Sequence, residues 1–121
     1  MAKILVVEDD ESVRDFTARA LKASGHAVET AEDGDAGLQR VMASDGDFSL
    51  VLSDIRMPVM DGIEMARHVS KNHPDLKILL MTGYAEQRER AADLADIIVD
   101  VISKPFTLSD LRRSVDLALQ D

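Results

Sequence analysis

Cysteine is absent from this 121-residue chain, which removes both a disulfide framework and a thiolate metal site and leaves a reducing compartment permitted. Long apolar runs are also missing. None approaches the ~20 residues that a membrane-spanning helix needs, and the opening MAKILVV runs straight into acidic residues with no cleavable signal pattern. Both absences predict a soluble, cytoplasmic protein. Positive charge is scarce: 14 Lys and Arg stand against 23 Asp and Glu, for a net charge of −9 at pH 7. With no basic cluster to offset it, that balance repels a polyanion and argues against direct nucleic-acid binding. His26, His68 and His73 are scattered without metal-ligand spacing and read as surface residues. The sequence has no internal repeat, low-complexity segment or linker, so residues 1–121 read as one domain with nothing left over for a second. A chain of this length can bury about two thirds of the surface it exposes when unfolded.

What is present is organised around residues 48–62, FSLVLSDIRMPVMDG. Residues 50–53 read as a short strand buried on both faces, which delivers Asp54 to its carboxyl end. In open α/β sheets that edge is where ligands bind. Met57 and Pro58 cannot continue a central strand, because proline has no N–H for the ladder, and Asp61 with Gly62 marks the turn into a helix.

The rest of the chain alternates in the same way. Residues 3–7 are a strand, Glu8, Asp9 and Asp10 an acidic loop, and Val13, Phe16, Ala20 and Leu21 recur at helical spacing. A strand over 27–30, a helix over 33–43, the Asp54 strand and a helix from Gly62 to Val69 follow, the last closed by His73 and Pro74. Residues 76–81 form the most hydrophobic strand, expected to be central, with Thr82, Gly83 and Tyr84 as its loop and a charged helix over 85–95. Residues 95–102, ADIIVDVI, contain no glycine and leave the boundary between that helix and the fifth strand open. Ser103, Lys104 and Pro105 end the strand. A final helix over 108–119 has Leu111, Val115 and Leu119 as its buried stripe and Thr107 or Ser109 as its cap. Five alternating units predict an α/β fold, a parallel sheet covered on both faces. The methionines read as core rather than as a partner-binding stripe.

If the strands are parallel, Glu8, Asp9, Asp54, Thr82 and Lys104 wait on one edge. Two carboxylates ~4 Å apart repel by about 4 kcal/mol at an effective dielectric of ~20, so the cluster calls for a cation or shifted pKa values. Few carboxylates with backbone oxygen and water suit Mg²⁺, and no EF-hand spacing favours calcium. A carboxylate beside Mg²⁺, faced by a hydroxyl and an ammonium, has the parts needed to accept a phosphoryl group, with Asp54 as nucleophile. Singly, each residue has an ordinary explanation: a helix start for the acidic run, a strand-end threonine, a surface lysine. Their coincidence at four strand ends does not.

Together, Glu8-Asp9, the DIRMPVMDG segment, Thr82 followed by a small residue, and Lys104-Pro105-Phe106 resemble the signature of two-component response-regulator receiver domains, over essentially the whole chain. The resemblance implies a (βα)5 flavodoxin-like, doubly wound fold of strand order 2-1-3-4-5. It also implies that Asp54 is the phosphoacceptor, that Asp9 and Asp54 bind Mg²⁺ directly and Glu8 through water, and that the Arg56 backbone carbonyl completes the site. Thr82 and Lys104 would contact the phosphoryl group, and the Lys104–Pro105 peptide would be cis. Implied partners are a histidine kinase or His-phosphotransferase upstream and, with no effector domain following, a protein effector on the face formed by the fourth helix, fifth strand and fifth helix. Self-phosphorylation and self-dephosphorylation would be slow. Within the family the MTGY and SKPF segments are similar to CpdR-type regulators, which implies a link to the Clp protease system.

Two positions depart from the family pattern. Val101 stands where many receivers carry Tyr or Phe, and the usual glycine ahead of the last strand is missing. Val101 is short and stiff and cannot make a ring swing, which leaves Gly83 and Tyr84 as hinge and lever, or Tyr84 with Arg56 as a static lid. The alternative function is a Mg²⁺-dependent aspartyl-phosphate phosphatase of haloacid-dehalogenase type, but the second aspartate it needs is replaced by Arg56. A flavodoxin-type FMN site would put a phosphate where Glu8, Asp9 and Asp10 repel it.

Overall fold

A computed structural model describes residues 2–120; residues 1 and 121 of the expected domain lie outside that range. The elements alternate without exception: β1 Lys3–Val7, α1 Glu11–Ala23, β2 Ala27–Ala31, α2 Gly34–Ala43, β3 Leu50–Asp54, α3 Gly62–Asn72, β4 Lys77–Thr82, α4 Ala85–Ala91, β5 Asp100–Ser103 and α5 Leu108–Leu119, with a 3₁₀ turn at Ala92–Leu94 after α4. The five strands form one parallel sheet in the order β2-β1-β3-β4-β5. This is the α/β flavodoxin-like fold that the residues and the resemblance anticipated. Among the described residues, no helix is long and apolar enough to cross a membrane.

Side-chain alternation along the strands feeds two separate cores, because successive residues of a strand point to opposite faces. Leu5, Val7, Val51, Ile78 and Leu80 pack with α2, α3 and the residues around Ala91 and Leu94. Ile4, Val6, Leu50, Leu52 and Met81 pack with Ala20 and Leu21 of α1 and Leu111, Val115 and Ala118 of α5. All five residues of β3 are buried, and each fully buried aliphatic side chain contributes about 1.5–3 kcal/mol. The most hydrophobic strand, β4, lies inside the sheet between β3 and β5 as expected, and β3 is the middle strand, with two strands on either side. Apolar content reports burial on both faces, a property that β1, β3 and β4 share, so it cannot rank them.

Helix starts are fixed by side-chain caps. Asp10, Asp33 and Asp61 accept the N–H groups of Val13, Ala36 and Glu64, each satisfying a backbone donor with no intrahelical partner. Thr107, and not Ser109, caps α5 in a reciprocal capping box with Asp110. Other expectations shift in detail. The charged helix stops at Ala91 instead of running to residue 95, and Thr82 is the last residue of β4 and not part of its loop. Ala118 takes the buried place expected of Leu119, which is half-buried. His26 and His73 are also half-buried and only His68 is exposed; the His26 ring nitrogen accepts the Ala2 N–H. Met57, Met65 and Met81 are core residues, whereas Met42 is 38% exposed.

Candidate functional site

The carboxyl ends of β1, β3, β4 and β5 bring together the residues that the sequence put there. Asp54 is the last residue of β3, and its carbonyl oxygen would lie 2.2 Å from a Cβ placed on Gly62. Only glycine lets the start of α3 come that close to the strand, and the Gly62 N–H donates to the Ile55 carbonyl at 2.7 Å. The turn between them is held open by Val59, at φ 69°, with the Met60 N–H donating to the Pro58 carbonyl at 2.8 Å. That is a γ-turn, a rare and strained conformation. Met60 in turn accepts the Gly34 N–H at 3.1 Å, docking the loop on the first residue of α2.

Glu8 and Asp54 are buried, Asp9 is exposed, and one oxygen from each carboxylate falls within 4.8 Å of the others. Lys104 supplies the charge that holds them together: its ammonium lies 2.6 Å from Glu8 Oε1 and 3.2 Å from Asp54 Oδ2. Asp54 Oδ1 accepts the Ile55 N–H at 3.0 Å, and Glu8 Oε2 accepts the Asp10 N–H at 3.2 Å. Burial pushes the Asp54 carboxyl above its ordinary value against the pull of Lys104. Burial and the adjacent Glu8 carboxyl likewise raise Asp9. Burial alone would lower Lys104, but its hydrogen bond to Glu8 and the Asp54 and Glu8 charges outweigh that and raise it.

Thr82 is buried on β4 and its hydroxyl oxygen accepts the Tyr84 N–H at 3.1 Å. It does not line the cavity of about 810 Å³ that opens over Asp54. Arg56 and Tyr84 do line it, and the Arg56 guanidinium stacks 5.0 Å from the centre of the Tyr84 ring. A Cβ on Gly83 would meet nothing closer than 3.6 Å, so the backbone there does not demand glycine. Val101 is half-buried against the core of α2 and α3. The Lys104–Pro105 peptide is cis.

Three contacts escaped the sequence. The Arg14 guanidinium donates to the Glu8 carbonyl at 2.9 Å, Arg88 of α4 reaches β5, and Arg90 pairs with Asp61 at 2.8 Å. Only Arg14 left a trace, as a cation one turn past the acidic loop; the partners of the other two depend on how α4 sits on the sheet.

The comparisons with known proteins agree with this geometry. Residues 4–116 match the model of the response regulator receiver domain. The chain is 40% identical to the response regulator receiver protein CpdR of Brucella abortus over 98% of both chains. It is 36% identical to a stretch of the sensor kinase CckA of the same organism, covering 98% of this chain but 13% of that protein. Among solved structures, TrrA of Thermotoga maritima in complex with Mg(2+)-BeF has a TM-score of 0.88 at 32% identity, over 98% of this chain and 100% of that one. A match over nearly the whole length, on a fold whose strand ends gather three carboxylates and a lysine, means that this chain belongs to the response-regulator receiver domain family.

Proposed function

We propose that this receiver accepts a phosphoryl group on Asp54, with Mg²⁺ bound beside it, and signals through a protein surface that phosphorylation alters. The observation that carries the proposal is the buried Asp54 carboxylate at the end of the middle strand, with an ammonium at 3.2 Å and two more carboxylates within 4.8 Å. The donor is a histidine kinase, a His-phosphotransferase or a small acyl phosphate. An Asp54 oxygen attacks phosphorus; the new O–P bond forms as the bond from phosphorus to the donor's imidazole nitrogen or carboxylate oxygen breaks, and the electron pair leaves with the donor. Lys104 and the Thr82 hydroxyl then donate to phosphoryl oxygens.

Three carboxylates against one ammonium leave a local excess of negative charge, and an all-oxygen donor set of this size fits a small hard cation. Asp9 and Asp54 would hold Mg²⁺ directly, Glu8 through water, with the Arg56 carbonyl completing the set. When bound, the ion supplies charge neutralisation on the phosphoryl oxygens.

Tyr84 and Arg56 act as a lid. Their stacked pair lies over the cavity, and a cation held on a ring face gains about 0.5–1 kcal/mol at an exposed site. Water reaches the acyl phosphate less readily, so self-dephosphorylation is slow and the chain behaves as an acceptor and not as a turnover enzyme. Output goes through a partner on the α4, β5 and α5 face. The Clp protease system, which the CpdR-type resemblance implies, is the effector to test first.

With acetyl phosphate and Mg²⁺, the purified protein gains one phosphoryl mass. Asp54→Asn gains none, EDTA abolishes labelling, and Asp9→Ala greatly weakens it. Equal labelling of Asp54→Asn would overturn the assignment. Tyr84→Ala shortens the lifetime of the phosphoryl group if the lid reading holds; an unchanged lifetime returns Tyr84 to the lever role.

A further inference from the structure

The fourth helix is the most weakly anchored in the fold. It has seven residues, of which only Ala91 is buried, and Tyr84 at its N-cap provides no side-chain cap. With little apolar contact, its position rests on polar tethers at three points. Thr82 Oγ1 accepts the Tyr84 N–H at its start. Arg90 pairs with Asp61 near its end. Between them the Arg88 guanidinium crosses to β5, donating to the Val101 carbonyl at 3.2 Å and to the Ser103 hydroxyl.

Two of these tethers end on the phosphoryl-contacting residues or their neighbours. Thr82 holds the start of α4, and Ser103 precedes Lys104, whose N–H donates to the Thr82 carbonyl at 2.8 Å. Charge added at Asp54 draws Thr82 and Lys104 toward it. The Thr82 hydroxyl oxygen also accepts the Tyr84 N–H, so a shift of that hydroxyl toward Asp54 acts directly on the bond that holds the start of α4. Arg88 remains bound to β5 and opposes any shift of the helix.

We infer that the Arg88 clamp on Val101 and Ser103 is an autoinhibitory latch that holds α4 in its resting place and sets the balance between resting and shifted forms. The inference rests on Asp54 being the phosphoacceptor. Because a ligand that prefers the shifted form must work against whatever favours the resting one, the latch weakens binding at Asp54 by up to the factor by which it favours the resting form. Removing it tightens that binding, with no residue of the site changed.

Beryllofluoride with Mg²⁺ is the probe, and the chain carries its own reporter, since Tyr84 is the only tyrosine and tryptophan is absent. Tyrosine fluorescence is titrated in wild type, Arg88→Ala and Ser103→Ala. Arg88→Ala is expected to bind about three- to tenfold more tightly, the scale of one exposed charge-assisted clamp. Ser103→Ala, which removes one of two acceptors, shifts the same way by less. Amide exchange across residues 85–94 of unliganded Arg88→Ala moves toward that of liganded wild type. Wild-type saturation with unchanged or weaker binding in Arg88→Ala overturns the latch alone. No saturable response in wild type overturns the phosphoacceptor reading and the latch with it.

Discussion

Replacing Asp54 by Asn should stabilise the fold at neutral pH in the absence of divalent cations, although it removes the group on which the proposed function depends. Two carboxylates lie within 4.8 Å of Asp54, and at an effective dielectric of ~20 each such pair costs about 3.5 kcal/mol. The Lys104 ammonium at 3.2 Å returns about 5 kcal/mol on the same scale. Asp9 is exposed and its share is screened, so attraction and repulsion nearly cancel and the burial of charge decides the sign. Burial raises the Asp54 pKa above 3.8 in spite of Lys104, which means the folded state disfavours the ionised form. Asn keeps the oxygen that accepts the Ile55 N–H and loses the charge. The expected gain is on the order of 1 kcal/mol. Its pH dependence has a fixed direction. A carboxyl raised on folding destabilises most above its folded pKa, and the penalty fades as pH falls through that value toward 3.8 and the folded state takes up the proton. Urea unfolding in EDTA, at neutral pH and at about pH 4, measures both margins. A variant less stable than wild type at neutral pH, or equally advantaged at the lower pH, would refute the reasoning.

Three further substitutions test the backbone and the core. Gly62→Ala puts a methyl 2.2 Å from the Asp54 carbonyl oxygen; it should cost about 1–3 kcal/mol in chemical denaturation despite the better helix propensity of alanine, and phosphoryl acceptance should fall by more than the folded fraction does. Val59→Gly relieves a β-branched residue at φ 69° that is 80% exposed and packs on little; thermal and urea unfolding should show a gain of about 0.5–1 kcal/mol after the entropy cost of glycine. Thr17 is fully buried and its hydroxyl has no hydrogen-bond partner among the described residues, so Thr17→Val should stabilise by about 1 kcal/mol in the same assay.

How far the sequence reached can be judged from particular stretches. Residues 50–54 and 3–7 were legible because short β-branched and aliphatic runs end abruptly on acidic residues, and the buried strands they form lie where expected. The placement of Asp54, Glu8, Asp9 and Lys104 followed from parallel strands alone. Residues 92–99 were not legible. The chain there makes a 3₁₀ turn and then bonds Ile97 and Ile98 N–H back to Leu94. It turns with no glycine or proline, and Ile97 and Ile98 pack on the core without belonging to a helix or strand. Tertiary contact sets that path, and nothing in the local residue types announces it. Val59 was illegible for the opposite reason: its residue type argues against the positive φ that the loop imposes on it.

The bridge from Lys104 to Glu8 joins residues 96 apart, which gives the order of synthesis a bearing on when the site exists. Contacts of such separation form late, since the intervening chain must first be ordered. A nascent chain that has produced β1 to β4 already holds Glu8, Asp9 and Asp54 but lacks the lysine that compensates them, and β5 has yet to pair with β4. Its three carboxylates repel without the ammonium that bridges two of them. The compensated cluster of Glu8, Asp54 and Lys104 thus exists only once the last strand is added to the sheet, and under the proposed acceptor role of Asp54 a chain cut before Lys104 is expected to take up phosphoryl groups more slowly than a finished one.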